Sequence, residues 1–175
     1  ILKRGPIKGA GNWTHMRGNI GRTASSGDER ATLPLSLLWW GGPGPARIVS
    51  RHVYAPIPLV VNGKIYIQGE HDLIAVNAYN GRELWNRQLR DIGRWPIFLR
   101  GGNIAADQEC VYVVKNRTCQ RIHGDSGKTL TTYSMPYLKR DDVENPEKAT
   151  WEYLGVTKEF VIGSLGMGVN SGMGH

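Results

Sequence analysis

From Leu59 the chain runs Leu-Val-Val, Asn-Gly, Lys-Ile-Tyr-Ile-Gln, with β-branched and aromatic side chains alternating with others beyond the turn. A two-residue period of this kind predicts a strand, and Asn62-Gly63 between two β-rich runs predicts a tight turn. Gly69 to Asp72 interrupts the pattern and Leu73 to Asn77 resumes it. Tyr79-Asn80-Gly81 turns the chain again, and Leu84-Trp85 opens a further strand. Leu59 to Leu89 therefore reads as a meander of short strands.

The same pattern returns at a constant offset. Ile65-Tyr66-Ile67 corresponds to Val111-Tyr112-Val113, Val76 to Ile122, Asn80-Gly81 to Ser126-Gly127 and Leu84 to Leu130, each 46 residues on. A third copy starts at Glu159-Phe160-Val161-Ile162-Gly163, 49 residues beyond the second when Phe160 is set on Val111. The pattern also reaches backwards, because Leu37-Leu38-Trp39 precedes Glu83-Leu84-Trp85 by 46 residues. A period of about 40 to 50 residues with several strands and no long helical segment indicates propeller blades. The predicted divisions are an irregular leader over 1–58 that includes the closing strand of a preceding blade at 33–40, a blade over 59–101, a blade over 102–136, an inter-blade loop over 137–152, and the start of a further blade with a Gly-rich end over 153–175. Ile65 and Val111 are expected at equivalent core positions.

Leu73-Ile74-Ala75-Val76-Asn77-Ala78-Tyr79-Asn80-Gly81-Arg82-Glu83-Leu84-Trp85 resembles the repeat of quinoprotein-type, PQQ-like β-propellers, roughly Leu/Val-Tyr-Ala-Leu-Asp-Ala-x-Thr-Gly-Lys-x-Leu-Trp. Cys119 to Leu130 is a weaker copy. Asn77 and His123 stand in the usual Asp place, Asn80 and Ser126 in that of Thr, and Thr131 in that of Trp. The resemblance implies an all-β fold, a partial propeller of four-stranded antiparallel blades. The leader (Gly-Ala-Gly-Asn-Trp-Thr-His, then Trp-Trp-Gly-Gly-Pro-Gly-Pro and Arg51-His52) resembles a segment of large bacterial members, especially planctomycete-type ones. A periplasmic or extracellular location is implied by that resemblance. True quinoprotein dehydrogenases carry the cofactor on the propeller axis, with Ca²⁺, an Asp base and often a disulfide between adjacent cysteines. This chain has no adjacent Cys pair, and its acids Asp72, Asp107 and Asp125 fall in predicted turns.

About two and a half blades do not close a ring of roughly four to eight. The expectation is an excerpt of a longer polypeptide whose remaining blades cover the open sheet edges. Leu33 to Trp40 is predicted to be a buried strand ended by a rigid Gly/Pro loop, with Pro34, Pro43 and Pro45 arguing against a helix. Trp13 is expected to plug a blade edge.

The formal charge is +7. The basic residues are spread from Lys3 to Lys158, and Arg82, Arg87, Arg90, Arg94 and Arg100 share no helix face, which suits a solvated or salt-bridged surface; an anionic partner is the alternative. No apolar run approaches the ~18 residues of a membrane span. The five histidines (15, 52, 71, 123, 175) make no metal-ligand spacing, and no Cys-x-x-Cys-His is present. Gly124-Asp125-Ser126-Gly127 matches a serine-nucleophile tetrapeptide but aligns with the Ala78 to Gly81 turn, so a hairpin is expected there. Gly163 to Gly168 lacks the order of a dinucleotide loop. Cys110 and Cys119 are expected unbonded, from a register that sets Val113 against Cys119 and puts Cys110 on the opposite face.

No catalytic or metal-binding residue is assigned. The candidate ligand or partner surface is Trp13, His15, Arg51 and His52. The reading is a non-catalytic binding or assembly module, without a cofactor of its own in this segment and partnered by the remaining blades and by a protein or an anionic surface. The alternatives are a segment of a PQQ- and Ca²⁺-dependent oxidoreductase with its catalytic residues on other blades, and a module binding nucleic acid or another anionic polymer.

Overall fold

The computed structural model of the chain describes residues 7–48, 56–69, 71–90, 92, 102–115, 117–135 and 149–167. They form three antiparallel sheets. The first is β1 (Leu59–Val61), β2 (Lys64–Gln68), β3 (Asp72–Asn77) and β4 (Glu83–Gln88), in that order. The second repeats it with β5 (Ile104–Ala106), β6 (Cys110–Lys115), β7 (Thr118–His123) and β8 (Thr129–Ser134). The third pairs β9 (Ala149–Val156) with β10 (Val161–Met167).

The turns form where the local chemistry asks for them. Asn62 and Gly63 have φ of 47° and 71° between the paired residues Val61 and Lys64, a two-residue turn whose backbone twist matches that of the strands. Between β3 and β4, Asn77 N donates to Arg82 O and Gly81 N to Asn77 O; His123 N and Lys128 O, with Gly127 N and His123 O, do the same between β7 and β8. Asn77 Oδ1 accepts from Tyr79 N, and the His123 ring meets Ser126 Oγ, so both side chains in the usual Asp place still brace the turn. Gly124 to Gly127 is thus a hairpin, as its alignment with Ala78 to Gly81 predicts.

Side chains alternate across each strand, and both faces are apolar. Tyr66, Leu73 and Ala75 of the first sheet meet Val111, Val113 and Ile122 of the second in one core. The opposite face of the second sheet, Cys110, Tyr112, Val114 and Cys119, meets Leu154 and Val156 of the third. Ile65 and Val111 share a backbone position, paired to Val76 and Ile122. Val111 is fully buried against the first sheet, whereas Ile65 is half-buried and packs, with Ile48, against the small cluster of Ile67, Ile74 and Val76.

An indole locks each sheet to the next. Trp85 Nε1 donates to Gly124 O at 2.7 Å, and Trp39 Nε1 to Ala78 O at 2.8 Å. The rings lie over Gly127 and Gly81, which have φ of 66° and 68°; a Cβ would sit 2.9 Å from the Trp85 ring and 2.5 Å from that of Trp39. Thr131 holds the next equivalent place and is exposed. The second and third sheets meet instead through Tyr133 and Trp151.

Four expectations need correction. Leu33 to Trp40 is not a buried strand: it has no sheet partner among the described residues, and Leu33, Leu35, Leu37, Leu38 and Trp40 are exposed. One helical turn, Gly44–Arg47, follows Pro43 despite Pro45, since a proline in the first turn loses no helical hydrogen bond. The third sheet begins at Ala149, within the segment read as a loop to 152. Cys119 pairs with Val114, one residue from the expected register, so it shares a face with Cys110. Both thiols are free, because Cys110 lies four strand residues from Val114, about 13 Å at the strand rise and beyond bonding reach.

Two stability predictions follow from this packing. Gly127→Ala should cost about 2–3 kcal/mol, from the left-handed backbone and the clash with the Trp85 ring, read as a lower urea midpoint. Gln68, at 2% exposure, faces the core between the first two sheets in the place that Val114 holds in the repeat, and neither amide atom has a hydrogen-bond partner among the described residues. Gln68→Met should therefore stabilise by about 1–2 kcal/mol in the same measurement, and an unchanged or lower midpoint counts against that account.

Candidate functional site

The innermost strands β1, β5 and β9 each have one edge paired within their own sheet and one free edge of backbone donors and acceptors. The leader is laid across these free edges. Trp13 N donates to Val60 O at 2.7 Å and Val60 N to Trp13 O at 2.9 Å; Ala106 N donates to Thr14 O at 2.9 Å; Val156 N donates to His15 Nε2 at 3.0 Å. Three consecutive residues thus hold three different sheets.

The local sequence folds this strap into a hairpin. Thr14 N donates to Gly18 O and Gly18 N to His15 O; on the returning limb Ala24 N bonds Arg17 O and Glu29 N bonds Gly9 O. Gly18 has a φ of 92°, and a Cβ there would meet Ser25 O at 2.8 Å. At the open end Asp28 Oδ2 accepts from Gly11 N, and Oδ1 from Arg30 N and Ala31 N. These backbone donors, Gly11 first, hold the Asp28 carboxyl below its ordinary pKa. Tyr153 Oη on β9 adds a bond to Ile20 O at 3.0 Å.

His15 is the buried member of the strap, and burial lowers its pKa from 6.5 to about 4. Since Nε2 accepts from Val156 N, the proton of the neutral ring lies on Nδ1 and is donated to Thr14 Oγ1, 2.7 Å away. The Thr14 hydroxyl passes its own hydrogen to Gly18 O. Protonation of Nε2 would remove the acceptor and place an N–H against the Val156 N–H.

Beside the strap, Ile7, Asn12, Val60, Asn62, Tyr79 and Gln108 line an open cleft of about 210 Å³. Asn62 N donates to Asn12 Oδ1, and Asn62 Nδ2 to Gln108 O, so these polar groups tie the strap to the turns of two sheets.

Of the four residues singled out from sequence, the structure brings Trp13 and His15 together; Arg51 and His52 lie outside the described residues. Trp13 does sit at a blade edge, through its backbone pair with Val60. Sequence reasoning missed Thr14, Tyr153 and Val156, which act through backbone groups or a long-range phenol and leave no periodic signal. The acids are committed elsewhere: Asp107 accepts from Glu109 N, Cys110 N and Tyr112 Oη, and Asp125 pairs with Lys64 at 3.0 Å. Asp72 is the first residue of β3. Among the described residues no three His, Cys, Asp or Glu side chains converge. Residues 13–15 cover the free inner edges of β1, β5 and β9.

The strap makes stability depend on acid in a defined window. A group whose pKa falls from 6.5 unfolded to about 4 folded binds its proton first in the unfolded chain, so stability is full above about 6.5 and declines until about 4. The loss amounts to about 3 kcal/mol. His15→Leu should remove this share of the pH slope while lowering stability at neutral pH by about 2 kcal/mol, through the orphaned Val156 N–H. Denaturant titrations of both proteins across pH 4 to 7 measure the difference, and parallel curves would contradict it.

No protein-family model matches the chain, and no curated protein does. Solved structures similar to it include the quinohemoprotein alcohol dehydrogenase ADHIIG from Pseudomonas putida HK5, with 20% identity and a TM-score of 0.56 over 90% of this chain and 23% of the dehydrogenase. BamB from Moraxella catarrhalis is similar over 62% of this chain and 33% of its own, with 10% identity and a TM-score of 0.43. This chain therefore spans a third or less of either structure. The likeness to the dehydrogenase concerns the fold, and with the repeated sheets it makes this chain an all-β, partial β-propeller of antiparallel four-stranded blades.

Proposed function

We propose that this chain is part of a propeller that acts as a non-catalytic binding or assembly module of a longer, exported protein. The observation that carries this reading is the strap: Trp13, Thr14 and His15 take up the free inner edges of three blades, where an axial ligand would bind. Polar groups that might otherwise serve chemistry are spent on turns and inter-blade ties. Arg47 pairs with Glu83, Lys64 with Asp125, and Arg87 reaches Gly127 O and Thr129 Oγ1, so part of the basic charge is used within the fold. Residence outside the cytoplasm rests on the resemblance of the repeat and leader. The surfaces left for partners are the cleft beside Tyr79 and the outer faces of the sheets.

Supplying PQQ and Ca²⁺ to the purified protein and assaying alcohol or sugar oxidation with a dye acceptor tests the reading directly. The expected rate equals that of a protein-free control. Turnover that is lost in Asp72→Asn, Asp107→Asn or Asp125→Asn would overturn it in favour of a dehydrogenase.

A further inference from the structure

We propose that His15 is an acid-operated latch: a proton on its ring releases the strap from the third sheet, while Trp13 and Thr14 keep it fastened to the first two. The three fastenings differ in chemistry. Trp13 and Val60 exchange two backbone bonds, and Thr14 O accepts from Ala106 N, so neither hold involves a group that gains or loses a proton in this range. The hold on β9 is the exception, because there Val156 N donates to a ring nitrogen, His15 Nε2.

The geometry leaves that nitrogen no second way of holding Val156. Nε2 accepts only in the neutral ring; once it carries a hydrogen, two N–H groups face each other across 3.0 Å. Turning the ring over does not restore the bond, since Nδ1, now 2.7 Å from Thr14 Oγ1, is also a donor in the cation. Nor can Val156 N turn to its own sheet. β10 pairs with the other edge of β9, so on this side the N–H has only the strap before it.

The surroundings do not neutralise the charge. The charged or titratable groups on the elements around the ring are Arg17 and Asp28 on the hairpin, Asp107 after β5, and Tyr153, Lys158 and Glu159 on β9 and the turn beyond it. Asp28 and Asp107 are taken up by backbone donors, Asp107 by Tyr112 Oη as well, and Arg17, Lys158 and Glu159 are exposed. Burial is the one cause of the lowered His15 pKa.

The release is local. Tyr153 Oη donates to Ile20 O, a bond that a proton on His15 does not touch, so the hairpin stays tied to β9 at one point when the ring lets go. What opens is the Val156 edge donor, with the ties to β1 and β5 intact. That separates the latch from the general loss of stability in acid, in which every edge would be exposed together. It stands whether or not the propeller is catalytic.

Hydrogen–deuterium exchange with single-residue fragmentation, on the polypeptide as the cell makes it, follows the Val156, Ala106 and Val60 amides between pH 7 and 4, corrected for the intrinsic rate at each pH. With the ring at 6.5 when open and about 4 when latched, protection of Val156 should fall about tenfold per pH unit between those values, while Ala106 and Val60 keep theirs. His15→Gln offers an amide oxygen, an acceptor that does not titrate, and its Val156 protection should stay level over the same range. A fall in step at all three amides would mean global unfolding and overturn the proposal. So would protection of Val156 that ignores pH in the native protein, or that falls as steeply in His15→Gln. Should His15→Gln not fold, the three amides of the native protein decide by themselves.

Discussion

Both faces of the first two sheets are apolar, so each is stabilised by lying between two others. Ile65 and Val111 make the point at one backbone position: Val111 is fully buried because a sheet precedes its own, and Ile65 is half-buried because none does among the described residues. The indole locks convert this general demand into a fixed geometry. A ring pressed onto a left-handed glycine, with its Nε1 held by a carbonyl, sets spacing and register together in a way that burial alone does not. Where Thr131 replaces the indole, the second and third sheets rely on Tyr133, Trp151 and the core around Leu154.

The inner edges pose the complementary problem. A free strand edge invites pairing with any extended chain, and here the leader takes that role within the molecule. Because Trp13, Thr14 and His15 each hold a different sheet, the strap joins blades that would otherwise touch only their neighbours. The buried His15 ring is an acceptor for Val156 only while it carries a single proton, on Nδ1.

Departures from the repeat pattern are instructive because the geometry tolerates them for stated reasons. Asn77 and His123 replace an aspartate yet still brace their turns, since the position asks for a polar group close to the turn and not for a charge. Gln68 is the opposite case, an amide in the place that Val114 holds in the repeat and without a hydrogen-bond partner among the described residues. The cysteines show how little separates a right conclusion from a right reason. A one-residue slip in register reverses the face of every side chain, while the distance along the strand keeps the thiols apart either way.

By itself the sequence determined what is local and periodic: the strands, the Asn62-Gly63 and Gly81 turns, the 46-residue repeat, and the kinship of Trp39 with Trp85. Such features depend on neighbours within a few residues or on self-similarity, and both can be read along a line. Tertiary structure alone decided the course of the leader, the neutrality of His15 and the exposure of Leu33 to Trp40. The His15–Val156 bond spans 141 residues, and no spacing within the leader announces it. Likewise, the apolar run at Leu33 has the composition of a buried strand; whether it is buried depends on a partner, and partners are a property of the assembled sheets.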